Sequence, residues 1–364
     1  MLLAVKMIFS LVMILFGAEL FTNAIEWLGR KLGLGQGAIG SVLAAVGTAL
    51  PETAVPVTAI VFGGSHEAEQ VGIGGILGAP FLLATLGALV MACALVAFRT
   101  RQTGYVLNIN HRAYRRDIIC FIAAYGLALF AGVFPLPWIH RIVPLLLVIV
   151  YVIFLVLTVR DKSDHVESEE LKPLYIQKKS DEPTITLVFV QLLIALALIV
   201  GGAHTLTGGV EQIAVKLGLP TFMLSALIIP LATELPETLN SVVWIRQGKD
   251  GLASGNITGA MVFQSTLVPA LGIWMTPWNL TTDALLTAGL TLAAALFTFC
   301  LYRVRGEIQP WMLLIASSTY WVLPMQTMAS RYRTSNVYLI FGGVIVFIFV
   351  FAMLSARRSP HIRI

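Results

Sequence analysis

Two glutamates, Glu52 and Glu237, lie near the middle of long apolar stretches, each inside a copy of one pattern, Thr-x-Leu-Pro-Glu-Thr, at 48–53 and 233–238. A carboxylate at that depth in a membrane costs roughly 2.5–3.5 kcal/mol on insertion scales, so it is rarely kept without a use. Matching carboxylates in matching apolar segments point to one shared cation site at the midplane.

The surrounding sequence supports the membrane reading. The chain has 364 residues, 57% hydrophobic and 12% charged. Soluble domains carry about 25% charge. A span needs about 20 apolar residues, and eleven such stretches are legible. They run roughly 3–25, 38–63, 70–98, 117–134, 141–159, 184–210, 220–245, 251–275, 281–303, 309–328 and 336–356. The fourth and tenth are short or interrupted. The first lacks a small-residue cleavage site and continues into Glu19 and Glu26, so it reads as a span rather than a leader. Cys93, Cys120 and Cys300 show no metal-type spacing and read as small packing residues.

With the N-terminus outside, the inner loops hold 19 Lys and Arg residues and the outer ones 5. That asymmetry places the C-terminus in the cytoplasm, as expected of a prokaryotic plasma (inner) membrane protein. The net charge of +5 is thereby explained by topology and calls for no nucleic acid.

A shift of 185 residues aligns 17–53 with 202–238 at 13 identities in 37 positions. With a four-residue slip, Gly78-Ala79 and Thr85-Leu86 then match Gly259-Ala260 and Thr266-Leu267. Five spans therefore repeat. Five is odd, so the halves are inverted. The fold expected is an all-α polytopic membrane protein: an inverted 5+5 transmembrane-helix repeat plus one extra C-terminal helix. The repeats occupy 1–160 and 184–330, a solvated cytoplasmic linker 161–183, and the extra helix 336–356. Inverted repeats with proline-interrupted helices point to a midplane site in secondary transporters.

Pro51 and Pro236 free backbone carbonyls beside the glutamates, and Pro56 and Pro230 break the same spans again. Thr48 and Glu52 share a helix face, as do Thr233 and Glu237. Carboxylates, hydroxyls and loosened carbonyls make an all-oxygen shell, which suits a hard cation such as Ca²⁺. Glu234, whose repeat partner is Ala49, lies three residues before Glu237. It is a candidate third ligand, proton carrier or gate. Two close carboxylates do not both ionise cheaply without a cation.

Gln264 is a further candidate ligand, and its repeat partner is Leu83. Ser265, Thr266 and Thr85 read as helix-packing hydroxyls. Glu26 and Glu211 fall near span ends. Glu19 and His204 share one repeat position and border a possible transport path. The glycine runs 72–78 and 251–259 read as close helix packing.

In these residues the chain resembles the cation/calcium exchanger superfamily, including prokaryotic sodium/calcium exchangers. The resemblance rests on segments 47–52 and 232–237, the glycine-rich helices 72–90 and 255–272, and the inverted layout. It implies that Glu52 and Glu237 are the central cation ligands, with Thr48 and Thr233 adding oxygens. It also implies that spans two, three, seven and eight hold the site while spans one and six slide across it. The chain departs from the sodium-coupled pattern. Thr-Ala and Thr-Glu precede Leu-Pro-Glu where Thr-Ser is usual. Gly78-Ala79-Pro80 and Gly259-Ala260-Met261 replace Gly-Ser-Asn, and Leu83 and Gln264 stand at flanking ion positions. Most auxiliary sodium ligands are missing, which brings proton coupling forward.

The function expected is secondary antiport of Ca²⁺ or a similar divalent cation for Na⁺ or H⁺, with no resident cofactor; the partners are inorganic cations and the lipid bilayer. A proton-coupled exchanger of a monovalent or other divalent cation is the alternative. For an intramembrane metallohydrolase the chain lacks His-Glu-x-x-His, a serine–histidine pair and paired intramembrane aspartates, and the repeat with broken helices disfavours a passive channel.

Overall fold

The computed structural model describes residues 2–32, 49–98, 104–161, 172–177, 182–332 and 335–357. The first half contains α1 (Leu2–Lys31), α2 (Leu50–Phe62), α3 (His66–Leu82), α4 (Ala88–Ala97), α5 (His111–Val133) and α6 (Pro137–Asp161). A π-helical turn, Leu83–Gly87, joins α3 to α4. The second half contains α7 (Ile185–Leu217), α8 (Thr221–Arg246), α9 (Asp250–Met275), α10 (Thr282–Arg305), α11 (Pro310–Ser318) and α12 (Val322–Tyr332). The last helix, α13 (Ser335–Arg357), packs on α11 and α12. The architecture is an all-helical membrane bundle of two interlocked five-span repeats plus this C-terminal helix. Across the halves, α1 lies along α7, α3 along α8, and α9 along α5 and α6.

Among the described residues, seven helical stretches are long and apolar enough to cross a membrane, with α3, the π-helical turn and α4 counted as one, and α8, bent in its middle, makes an eighth. Three of the eleven expected spans differ. Of span two, only α2 from Leu50 onward falls among the described residues. The apolar part of α13, Val337–Met353, is short for a span. Span ten is broken: α11 stops at Ser318 and a 3₁₀ turn, Thr319–Trp321, precedes α12. The break has a local cause. Ser317, Ser318 and Thr319 donate their hydroxyls to the carbonyls three residues back, competing with the helical pattern. Pro324 then offers no N–H to the carbonyl of Tyr320.

Glycine lets α3 approach its neighbours. A Cβ at Gly78 would lie 2.4 Å from the Ala226 carbonyl oxygen on α8, and one at Gly75 would lie 2.9 Å from Pro56 on α2. Ala226 is four residues before Pro230, so its carbonyl lacks the usual helical donor. Ser225 closes the same seam by donating its hydroxyl to the Val71 carbonyl at 2.5 Å. The first glycine run is thus close packing, as expected. Nothing described lies against Gly251, Gly255 or Gly259; by the repeat, the counterparts of 222–226 are 37–41, outside the described residues. Gly78→Ala is expected to lower stability by about 1–3 kcal/mol through overpacking, read as a drop in detergent Tm. Gly126→Ala, with nothing within 4 Å of the new Cβ, should be neutral or stabilising.

The loops grouped on one side by their charge meet each other. Leu107 bridges Ile308, the Asn108 N–H donates to the Asp250 carboxylate at 2.8 Å, and Arg246 lies over the Phe98 ring at 6.0 Å. Deeper, Thr258 of α9 donates to the Asp117 carboxylate of α5 at 2.7 Å.

The linker departs from the freely solvated segment expected. Residues 162–171 and 178–181 lie outside the described residues, but 172–177 clasp α1 to α7. Asn23 donates to the carbonyls of Lys172 and Pro173 at 3.2 and 3.3 Å, and Trp27 donates to Lys172 at 2.9 Å. Gln191 of α7 donates to Leu20 and Asn23, both at 2.9 Å, and accepts from the Ile176 N–H at 3.2 Å. Leu174 is buried among Trp27, Val188 and Leu192. Glu19 joins this clasp rather than a transport path. Its carboxylate accepts from the Tyr175 hydroxyl at 2.6 Å, a bond that pushes the tyrosine up to about 12. The hydroxyl therefore keeps its proton throughout the neutral range.

Candidate cation site

The described part of α2 opens directly on its copy of the repeated motif. Ala49 caps the helix, Pro51 sits in its first turn and Glu52 follows. Pro51 has no N–H to offer the Gly47 carbonyl, and Gly47 lies outside the described residues. Pro56 interrupts the helix proper and leaves the Glu52 main-chain carbonyl without its helical donor. The Glu52 side chain is 4% exposed, near a helix N-terminus that favours negative charge.

The second copy bends its helix by 47° between Thr221–Glu234 and Glu237–Arg246. Pro236 supplies the cause, since it has no N–H for the Ala232 carbonyl. The bend lies at both carboxylates. Glu234 is fully buried, and α9 brings Gln264 to it. The Gln264 amide nitrogen donates to Glu234 Oε1 at 2.6 Å. α2 packs against both α8 and α9, the helices that carry Glu234, Glu237 and Gln264.

The decisive chemical feature is what these oxygens lack. Both carboxylate oxygens of Glu52, Oε2 of Glu234, Oε2 of Glu237 and Oε1 of Gln264 are buried without a hydrogen-bond partner among the described residues. Buried polar atoms are nearly always paired, and ionised carboxylates only accept. Such a set calls for protons or a cation. Among the described residues, no three His, Cys, Asp or Glu side chains close into a finished metal cage. The arrangement is a set of unpartnered buried oxygens rather than a formed coordination shell.

The other sequence candidates sort by geometry. Thr233 is buried and donates to the Ile229 carbonyl at 3.2 Å, which leaves its lone pairs available. Thr48 lies outside the described residues. Thr85, Ser265 and Thr266 donate to carbonyls of their own helices, at 2.5, 3.0 and 2.6 Å, as packing hydroxyls do. Leu83 opens the π-helical turn and is buried. Asn256 was not singled out from the sequence. Its amide donates to the Glu237 main-chain carbonyl at 3.3 Å and to the Ser241 hydroxyl at 3.4 Å, tying α9 to α8 just past the bend. An asparagine within an apolar run was the available signal.

The sodium/calcium exchanger protein family matches residues 2–160 and 187–356. The chain belongs to that family. Its members are secondary transporters that carry inorganic cations across membranes, not enzymes, and this exchanger is an integral membrane protein. It is 26% identical to the putative antiporter CaxA of Alkalimonas amylolytica over 327 residues, 85% of this chain and 95% of that one. It is 24% identical over 278 residues to the inner membrane protein YrbG of Escherichia coli, covering 76% of this chain and 81% of YrbG. Among solved structures, the H⁺/Ca²⁺ exchanger CAX superposes with a TM-score of 0.67 at 18% identity, covering 98% of this chain and 88% of CAX. The sodium–calcium exchanger NCX_Mj gives 0.52 at 20% identity, covering 88% of this chain and 97% of its own. Both likenesses bear on fold.

Proposed function

We propose that this exchanger moves Ca²⁺, or a similar divalent cation, against H⁺ or Na⁺ by alternating access, with Glu52 and Glu237 as the central ligands. The supporting observation is the buried carboxylate and amide oxygens left without donors where α2, α8 and α9 meet. Gln264 and the oxygens of Thr233 and Thr48 complete the ligand set. A divalent cation neutralises the glutamates in one half-cycle, and H⁺ or Na⁺ neutralises them on return, so the empty charged site seldom crosses. The repeats 1–160 and 184–330 frame the site, with 161–183 as linker and 336–356 as the added helix. The N-terminus lies outside and the C-terminus in the cytoplasm of a prokaryotic inner membrane.

Between the counter-ions, the third carboxylate favours H⁺. Glu234 is held by the Gln264 amide, at a position where a sodium-coupled protein of this pattern keeps serine. Uptake of ⁴⁵Ca²⁺ into proteoliposomes, under outward H⁺ and Na⁺ gradients imposed separately, tests this. H⁺-driven uptake that falls about tenfold or more in Glu234→Gln is the expected result, since a charge-assisted bond and a titrating group are both lost. Uptake driven by Na⁺ alone and unaffected by Glu234→Gln refutes the proton assignment. No Ca²⁺ uptake under either gradient refutes Ca²⁺ as the cargo.

A further inference from the structure

Away from the glutamates, a cavity of about 650 Å³ opens between the first turns of α5, the second half of α6 and the end of α10. Its polar side carries Arg112, Arg115, Arg116 and Arg303. Its apolar side includes Ile119, Ile153 and Leu157, which are 47%, 54% and 42% exposed. Arg116 is occupied: it pairs with Asp117 at 2.9 Å and lies over the Phe154 ring at 5.3 Å. Among the described residues, no carboxylate pairs with Arg112, Arg115 or Arg303.

Three unneutralised guanidiniums in one concavity repel one another unless an anion joins them. A small soluble anion satisfies the charge and wastes the apolar wall, whereas an amphiphile satisfies both. The depth also fits. The arginines sit at helix ends, where the headgroup layer lies, and Ile119, Ile153 and Leu157 follow one to three turns into the bundle. Basic pockets between spans suit anionic headgroups, and guanidinium matches phosphate with paired donors.

We propose that this cavity binds an anionic phospholipid, its phosphate on Arg112, Arg115 and Arg303 and an acyl chain along Ile119, Ile153 and Leu157. The site shares no residue with the candidate cation site and does not depend on which ion is exchanged.

The test is native mass spectrometry of the full-length protein in neutral detergent, titrated with phosphatidylglycerol or phosphatidylcholine. Phosphatidylglycerol is expected to be retained preferentially. The triple variant Arg112→Gln, Arg115→Gln, Arg303→Gln should bind it roughly 100-fold more weakly, at about fivefold per arginine. Arg305→Gln should bind it normally, because Arg305 stacks on Trp311 at 5.1 Å and does not line the cavity. If the triple variant fails to fold, Ile153→Trp fills the apolar wall and should lower retention with every charge in place. Equal retention of the two lipids, full retention by the variants, or displacement of phosphatidylglycerol by millimolar inorganic phosphate overturns the proposal. So does a gain in lipid binding on neutralising Glu167, Glu169 and Glu170 to glutamine, which would make the acidic linker the occupant.

Discussion

Glu52→Gln and Glu237→Gln are each expected to lower cation exchange about 100-fold or more while the protein still folds. The change is nearly isosteric and removes one of the charges that the cation neutralises. Breaking a buried ion pair costs about 3–5 kcal/mol, so exchange should fall about 100-fold or more in each variant. Stability without cation moves the other way. A buried carboxylate with no donor burdens the empty fold, and an amide carries no charge to desolvate. Both variants should therefore melt no lower than wild type in chelator and lose the rise in Tm that the cation brings to wild type. Thr233→Ala provides the contrast. Its hydroxyl already donates to Ile229, so its loss should cost tenfold or less, about the value of one hydrogen bond. Initial ⁴⁵Ca²⁺ exchange rates at matched protein density read all three.

A second large effect is expected at the clasp. Asn23 is buried and ties three segments: it donates to residues 172 and 173, and its side-chain oxygen accepts from Tyr175 and Gln191. Asn23→Ala strands buried donors and acceptors at about 1–3 kcal/mol. Amide exchange at Tyr175 and Ile176, slowed in wild type by their bonds to Asn23 and Gln191, should speed up by roughly 10- to 100-fold. Amides in α9 should keep their protection, because α9 takes no part in the clasp. If α1 and α7 slide as one body during transport, exchange in the variant should also slow, since the two helices are no longer held together. Unchanged protection at 172–177 would mean that the clasp does not hold in the membrane.

The candidate glutamates were legible in the sequence, because charge inside an apolar run has few explanations. Glu52, Glu234 and Glu237 stood out on that ground, and the repeat linked segments 185 residues apart. Proline also read correctly in α8, where Pro236 sits at the bend. Pro51 has no such outcome, because the carbonyl it would free, that of Gly47, lies outside the described residues. The direct partner of Gln264 was hidden for another reason: an amide presents both an oxygen and an N–H, and only the 2.6 Å approach shows that its N–H goes to Glu234. The clasp left almost no trace. Its acceptors are main-chain carbonyls of Lys172 and Pro173, which have no side-chain signature, and Asn23 and Gln191 are 168 positions apart. A charged, proline-containing linker gave no hint that residues 172–176 contact two spans.

The central claim is that one divalent cation binds between Glu52 and Glu237. Equilibrium ⁴⁵Ca²⁺ binding to purified protein in detergent tests it without any gradient or counter-ion, on wild type, Glu52→Gln and Glu237→Gln side by side. The account predicts saturable binding to wild type, displaced by excess unlabelled Ca²⁺, and loss of that binding in each variant. Undiminished binding in both variants would contradict it and move the cation site away from the repeated motifs.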